Sequence, residues 1–272
     1  VIVMKALVPL ADPQDPAALP SRRRLTIEVW ILIFLSLGKS GVYAAVRIVE
    51  NYLKETPVGD LTTTVNPSRS SVNIIDLVYQ VLAIGFSLVP VALALFLLSS
   101  YGAPWRGRLG LTGPANKWWA DLGWGAGLAA LIGLPGLVWY AFGRAIGQTL
   151  RVNTSGLPDA WWAATILIMA AVAAALLEEF IVVGYLLKRL QDLRWSPWAA
   201  IAASALLRGT YHLYQGWPMA LGNMVMGVVF AWYFMRKGRL GPLVAAHFLL
   251  DLVSFLGPEF IGEERLAEWG IS

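Results

Sequence analysis

Two adjacent carboxylates, Glu178 and Glu179, fall within AVAAALLEEFIVVGYLLKRLQ (residues 171–191), an apolar run long enough to cross a bilayer as a helix. A helix is stable in hydrocarbon because its backbone groups bond to one another; apolar side chains then face lipid, and charged ones must turn inward. One acid at mid-membrane depth costs about 2.5–3.5 kcal/mol on insertion scales, so a span with two must recover that cost from partners or through function. The remainder of the chain has to supply those partners. With 57% hydrophobic and 14% charged residues, it is too apolar for an ordinary soluble domain and reads as an integral membrane protein.

About 20 apolar residues cross a bilayer, and the sequence offers about seven such stretches: residues 25–46, 72–98, 122–146, 161–187, 198–214, 219–235 and 240–256. The expected fold is an all-α, polytopic transmembrane helical bundle with no second, soluble domain. Residues 1–24 include the Pro-rich run ADPQDPAALPSRRR, expected to form a disordered cytoplasmic tail ending in a basic anchor, and Lys5 argues against a cleavable signal peptide. Residues 25–110 are expected to hold the first two spans and an interfacial elbow anchored by Trp105, with Trp118 and Trp119 just beyond. Residues 111–256 form the core, and 257–272 a C-terminal tail. Lys39, Ser40 and Gly41 interrupt the first span.

The basic residues orient this arrangement. With the N-terminus in the cytoplasm, inside segments hold Lys5, Arg22 to Arg24, Arg106, Arg108, Lys117, Lys188, Arg189, Arg194, Arg236, Lys237 and Arg239. Outside segments hold Arg47, Lys54, Arg69, Arg151 and Arg265. Thirteen against five is the asymmetry expected of a multi-pass protein of the plasma (cell) membrane. The same bias accounts for the net charge of +4 without any nucleic-acid partner. Zero cysteines exclude thiolate chemistry, and two histidines exclude a His-rich metal cage.

Both histidines fall in late spans. His212 follows Arg208 by four residues, and Asp251 follows His247 by four, so each pair shares a helix face. At 1.5 Å per residue from the inner span ends, Glu178 and Arg208 lie roughly 15 Å deep and Asp251 roughly 16 Å, with His247 at roughly 10 Å and His212 at roughly 21 Å. One layer of polar residues is therefore expected inside the last four spans. Lys39, Asp76 and Arg144 read as anchoring or snorkelling groups near span ends. Asn223 is either interhelical glue or an edge of the polar layer.

At these positions the chain resembles the CPBP family, the CAAX-protease and bacteriocin-processing (Abi) membrane proteins that include type II CAAX prenyl proteases. Its motifs are Glu-Glu-x-x-x-Arg, Phe-x-x-x-His and His-x-x-x-Asn/Asp on successive core helices. Glu178 and Glu179 match the first, His212 the second, and His247 with Asp251 the third. The likeness runs from about residue 111 to 255, beginning with LGL and WWADLGWG. Two positions depart from it: Val183 stands at the motif arginine and Arg208 at the motif phenylalanine.

The resemblance implies a four-helix catalytic core and an intramembrane endopeptidase acting on a peptide or membrane-protein substrate. Glu178 would be the general base, His212 the residue orienting the water, His247 and Asp251 the oxyanion side, and Glu179 a structural partner. Two forms of the chemistry stay open. In one a zinc ion is held by Glu178, His212 and His247; in the other the glutamate activates water without a metal. The displaced arginine suggests that Arg208 now pairs with Glu179 or Glu178 across the helix interface. A non-catalytic scaffold or bacteriocin-immunity-type protein is the alternative, with a proton-coupled transporter a third, because buried Glu, His and Asp also build proton relays.

Overall fold

The structure, a computed structural model, describes residues 19–114, 116–153, 156–261 and 265. Most of the expected N-terminal tail therefore lies outside the described residues, as does most of the C-terminal one. The helices are α1 (Arg22–Leu35), α2 (Leu37–Leu53), α3 (Asn73–Ser87), α4 (Val89–Ser99), the single turn α5 (Trp105–Arg108) and α6 (Asn116–Ala145). They continue with α7 (Ala163–Glu178), α8 (Leu186–Asp192), α9 (Pro197–His212), α10 (Trp217–Lys237) and α11 (Gly241–Ile261). Two short strands, β1 (Thr62–Thr64) and β2 (Arg151–Asn153), pair in parallel with Thr62 opposite Arg151. The protein is an all-α polytopic bundle, as the apolar runs require.

The spans differ in detail from the sequence expectation. Among the described residues, five helical passages are long and apolar enough to cross: 73–99, 117–145, 163–192, 217–237 and 241–258. The expected first span is instead two helices, α1 and α2, bent by 57°. Ser36 lies at the break, its hydroxyl donating to the Leu32 carbonyl (2.7 Å) and thereby competing with the helical ladder. The basic residues Arg22 to Arg24 belong to the first turn of α1, capped by the Ser21 side chain, rather than to a tail.

The expected fifth span is shorter than these five passages. At 16 residues α9 extends only about 24 Å, short of the roughly 30 Å of hydrocarbon, before a turn at Leu213–Gln215. It does not need to face lipid on all sides, because α2 and α10 flank it.

The 163–192 passage is the most buried of the five. Between α7 and α8 it widens into a π-helical stretch, Glu179–Tyr185, all of whose residues are buried. Such insertions are rare and concentrate where helix geometry serves a site. Around it α4, α9, α10 and α11 close the core.

The loops meet at two ends. At one, β1 and β2 form a cap, Leu150 N–H donates to the Gln215 carbonyl (3.2 Å), and the Arg144 guanidinium donates to the Gly59 and Thr149 carbonyls. Asp76 belongs to this cap. It is fully buried rather than snorkelling, and accepts from Ser68 Oγ (2.8 Å), Arg69 N–H (2.8 Å) and Gln80 Nε2 (3.2 Å).

At the opposite, arginine-rich end, Arg108 holds both oxygens of Asp192, which also pairs with Arg189. Arg22 donates to the Leu193 carbonyl there, and Arg239 clasps Asp121 bidentately. Burial and the bond it donates to Glu28 (2.6 Å) raise the Tyr101 hydroxyl above its ordinary pKa. The segments that the basic-residue pattern assigns to one side of the membrane thus touch one another.

Gly110 locks the arginine-rich end. Its φ is +66°, and a Cβ there would collide with the Gly238 carbonyl oxygen, while Leu240 N–H donates to the Leu109 carbonyl beside it (3.0 Å). Gly110→Ala is expected to lower stability by at least about 2 kcal/mol, since left-handed strain and a backbone clash act together. Thermal unfolding of the purified protein in detergent checks this against wild type.

Candidate active site

Glu178 is the last residue of α7 and Glu179 the first of the π-helical stretch. Successive helical residues diverge by about 100 degrees, so the two acids address different surroundings. Glu179 is fully buried, and its Oε1 accepts from Arg208 Nη2 (2.5 Å) and from His247 Nδ1 (2.7 Å). Glu178 keeps 13% of its side chain exposed, and its Oε2 accepts from the Tyr211 hydroxyl (2.7 Å) and, more loosely, from Arg208 Nη1 (3.4 Å).

The histidines complete two layers. His247 Nε2 lies 3.4 Å from Asp251 Oδ2, and the Asp251 side chain is 22% exposed. His212 Nδ1 lies 3.0 Å from the Arg208 carbonyl oxygen. A carbonyl can only accept, so Nδ1 carries the proton and Nε2 is left as an acceptor. An inner, fully or nearly fully buried layer of Glu179, Arg208 and His247 thus lies beside an outer layer of Glu178, His212 and Asp251, which stays partly exposed. The six residues singled out in the sequence come together in one cluster drawn from α7, the π-helical stretch, α9 and α11.

Arg208 reaches the carboxylates from α9. Gly227 on α10 lets α9 come close: a Cβ there would come within 2.9 Å of Ala205 Cα. The Phe230 ring lies 5.5 Å beneath the guanidinium carbon and adds a cation–π contact. Val183 is fully buried among apolar neighbours, so the charge that the family pattern places on the glutamate helix comes here from the neighbouring one. Arg208 Nε and Glu179 Oε2 remain buried without hydrogen-bond partners, so the cluster costs stability as well as supplying it. Asn223 takes neither expected role; it donates to the Met219 carbonyl of its own helix (3.0 Å).

Tyr211 was not singled out by the sequence reading. Its signal was present: it follows Arg208 by three residues on one helix face, and a tyrosine hydroxyl inside a membrane bundle needs a partner.

The donor set does not suit zinc. Glu179 Oε1 and both nitrogens of His247 already face partners, and Arg208 places a fixed positive charge 3.4 Å from Glu178 Oε2, where a dication would compete with it. Among the described residues no group of three or more His, Asp or Glu side chains is arranged to hold a metal ion. The metal set of Glu178, His212 and His247 retains Glu178 Oε1 and His212 Nε2, two ligands where a catalytic zinc takes three.

Removing the guanidinium should be severe. Arg208→Met leaves Glu179 buried with an uncompensated charge, and the expected loss is about 3–5 kcal/mol. Arg239→Ala breaks a bidentate pair whose arginine is partly exposed and should cost less, about 1.5–3 kcal/mol. Unfolding in a detergent titration compares the two.

Comparison with curated proteins and with solved structures finds no match. Residues 160–253 match the family described as type II CAAX prenyl endopeptidase Rce1-like. That stretch contains both glutamates, Arg208, both histidines and Asp251, the same residues that the structure clusters. Over this segment, from α7 into α11, the chain is similar to that family of CAAX-type intramembrane endopeptidases.

Proposed function

We propose that the chain is an intramembrane endopeptidase in which Glu178 activates a water molecule without a metal ion. The observation that carries this reading is the asymmetry of the two acids. Glu179 is locked between Arg208 and His247, whereas Glu178 is tethered by one oxygen and keeps part of its side chain exposed. Glu178 lies fifteen residues from the start of the 163–192 passage and fourteen from its end, near mid-depth. Water and peptide must both enter the bundle to reach it, and the surrounding helices exclude bulk solvent.

The roles follow from hydrogen-bond polarity. A water between Glu178 Oε1 and His212 Nε2 donates one proton to each, which turns an oxygen lone pair toward a substrate carbonyl. As the oxygen attacks the carbonyl carbon, Glu178 takes the proton. The carbonyl oxygen becomes an oxyanion, for which the His247 Nε2–H serves as donor, a proton it shares with Asp251 at 3.4 Å. Glu179 fixes the ring through Nδ1, and Asp251 sets its tilt. Collapse of the tetrahedral intermediate expels the amine, which takes the proton back from Glu178. Arg208 does not fill this space, because it is fully buried in the inner layer.

The test is hydrolysis of a fluorogenic peptide panel, including C-terminally prenylated CAAX peptides, by protein in detergent micelles. Glu178→Gln and His212→Ala are each expected to lower turnover by at least about 100-fold while the protein purifies folded, with the double variant hardly worse than either. Partial, additive losses would remove both residues from the chemistry. The same assay after treatment with 1,10-phenanthroline should show unchanged turnover, and loss that zinc restores would place a metal in the site.

A further inference from the structure

Glu178 has two oxygens, and the structure treats them differently. Oε2 accepts from the Tyr211 hydroxyl at 2.7 Å and from Arg208 Nη1 at 3.4 Å, while among the described residues no hydrogen bond reaches Oε1. We propose that Tyr211 is a positioning residue that holds Oε2 of Glu178 and so leaves Oε1 as the oxygen that receives the proton of the attacking water. The proposal rests on the reading of Glu178 as the base. It assigns to Tyr211 the orientation of that base, a role the family motifs do not carry at this position of the chain.

Three features suit Tyr211 to it. The hydroxyl bond is the shorter of the two on Oε2, and a phenol donating to a carboxylate has the strength of a charge-assisted bond. Arg208 at 3.4 Å is beyond good hydrogen-bond length, and its close contact is with Glu179, so it neutralises Glu178 without fixing it. The ring itself cannot drift: Tyr211 is buried in a small cluster with Leu37 and Val182, against Leu177 and Leu207.

The ring also touches the other half of the water site. Tyr211 lies against His212 with ring centroids 4.7 Å apart and planes tilted by 41°. One residue of α9 therefore sets the rotamer of the base and backs the imidazole that orients the water. Because a tyrosine has only two side-chain torsions to fix, it can do this at low entropic cost. A flexible acid would sample geometries in which Oε2, or neither oxygen, faces the water, and misplacement by about 1 Å is enough to cost about 100-fold in rate.

The experiment compares wild type with Tyr211→Phe, Tyr211→p-aminophenylalanine and Glu178→Gln in the peptide assay, with the unfolding temperature of each. Phenylalanine keeps the packed ring and removes only the donor; the amino group restores a donor at the same place. The expected result is a kcat for Tyr211→Phe about ten- to one-hundred-fold below wild type with KM unchanged, and recovery of most of that loss by the amino variant. A role in packing alone predicts wild-type kcat for Tyr211→Phe, and that result overturns the proposal. So does a loss that appears in KM, or one that the amino variant fails to recover while folded. If Glu178→Gln turns over peptide normally, the reading of the base itself fails. If Glu178→Gln is inactive and Tyr211→Phe is normal, only the role of Tyr211 fails.

Discussion

The fold depends on how one guanidinium is shared between two carboxylates in the interior of a membrane bundle. Glu178 and Glu179 cannot both be charged and unpaired there, and Arg208 bonds to both from the next helix. Much of the local architecture follows. A glycine on α10 lets α9 come close, the Phe230 ring supports the cation, and His247 supplies the second partner that Glu179 needs. The buried pair alone is weak evidence for stability, since desolvation offsets much of its attraction. Its value is conformational: it fixes one acid and so distinguishes the other.

The two layers differ in burial and in the number of partners each acid has. Glu179, Arg208 and His247 hold α9 and α11 to the π-helical stretch of the central passage. Glu178, His212 and Asp251 keep part of their surface exposed. The widened turn at Glu179–Tyr185 is the hinge between these layers, because it begins at the junction of the two acids and carries wholly buried residues away from it. The extramembrane ends reinforce the arrangement. The β1–β2 cap joins the loop before α3 to the segment between α6 and α7, and Arg108, Asp192 and Arg189 join the elbow to α8. The helices that bear the site are therefore fixed at both ends.

The all-α bundle was legible because charged residues are rare and apolar runs are long, and the polar cluster was legible because intramembrane acids and histidines stand out against that background. The pairing of Arg208 with the glutamates followed from a depth count and from the valine at position 183. Other features left weaker marks. The bend at Ser36 depends on a hydroxyl competing with a carbonyl, which hydropathy does not register. Asp76 resembles an end-of-span anchor until its three donors are visible, two of them from the preceding loop. The short α9 is masked by the apolar residues on either side of it. Tyr211 counts as one more aromatic until its hydroxyl is placed against Glu178.

The claim that the acids are organised by a shared guanidinium is tested most directly by a double-mutant cycle on Arg208 and Glu179, read as unfolding free energy in detergent. With Arg208→Met, Glu179→Gln and the double variant, the account predicts a coupling of at least about 2 kcal/mol, the double variant being more stable than the sum of the single losses allows. Additivity within about 0.5 kcal/mol would mean that the two side chains do not support one another, and would contradict the account.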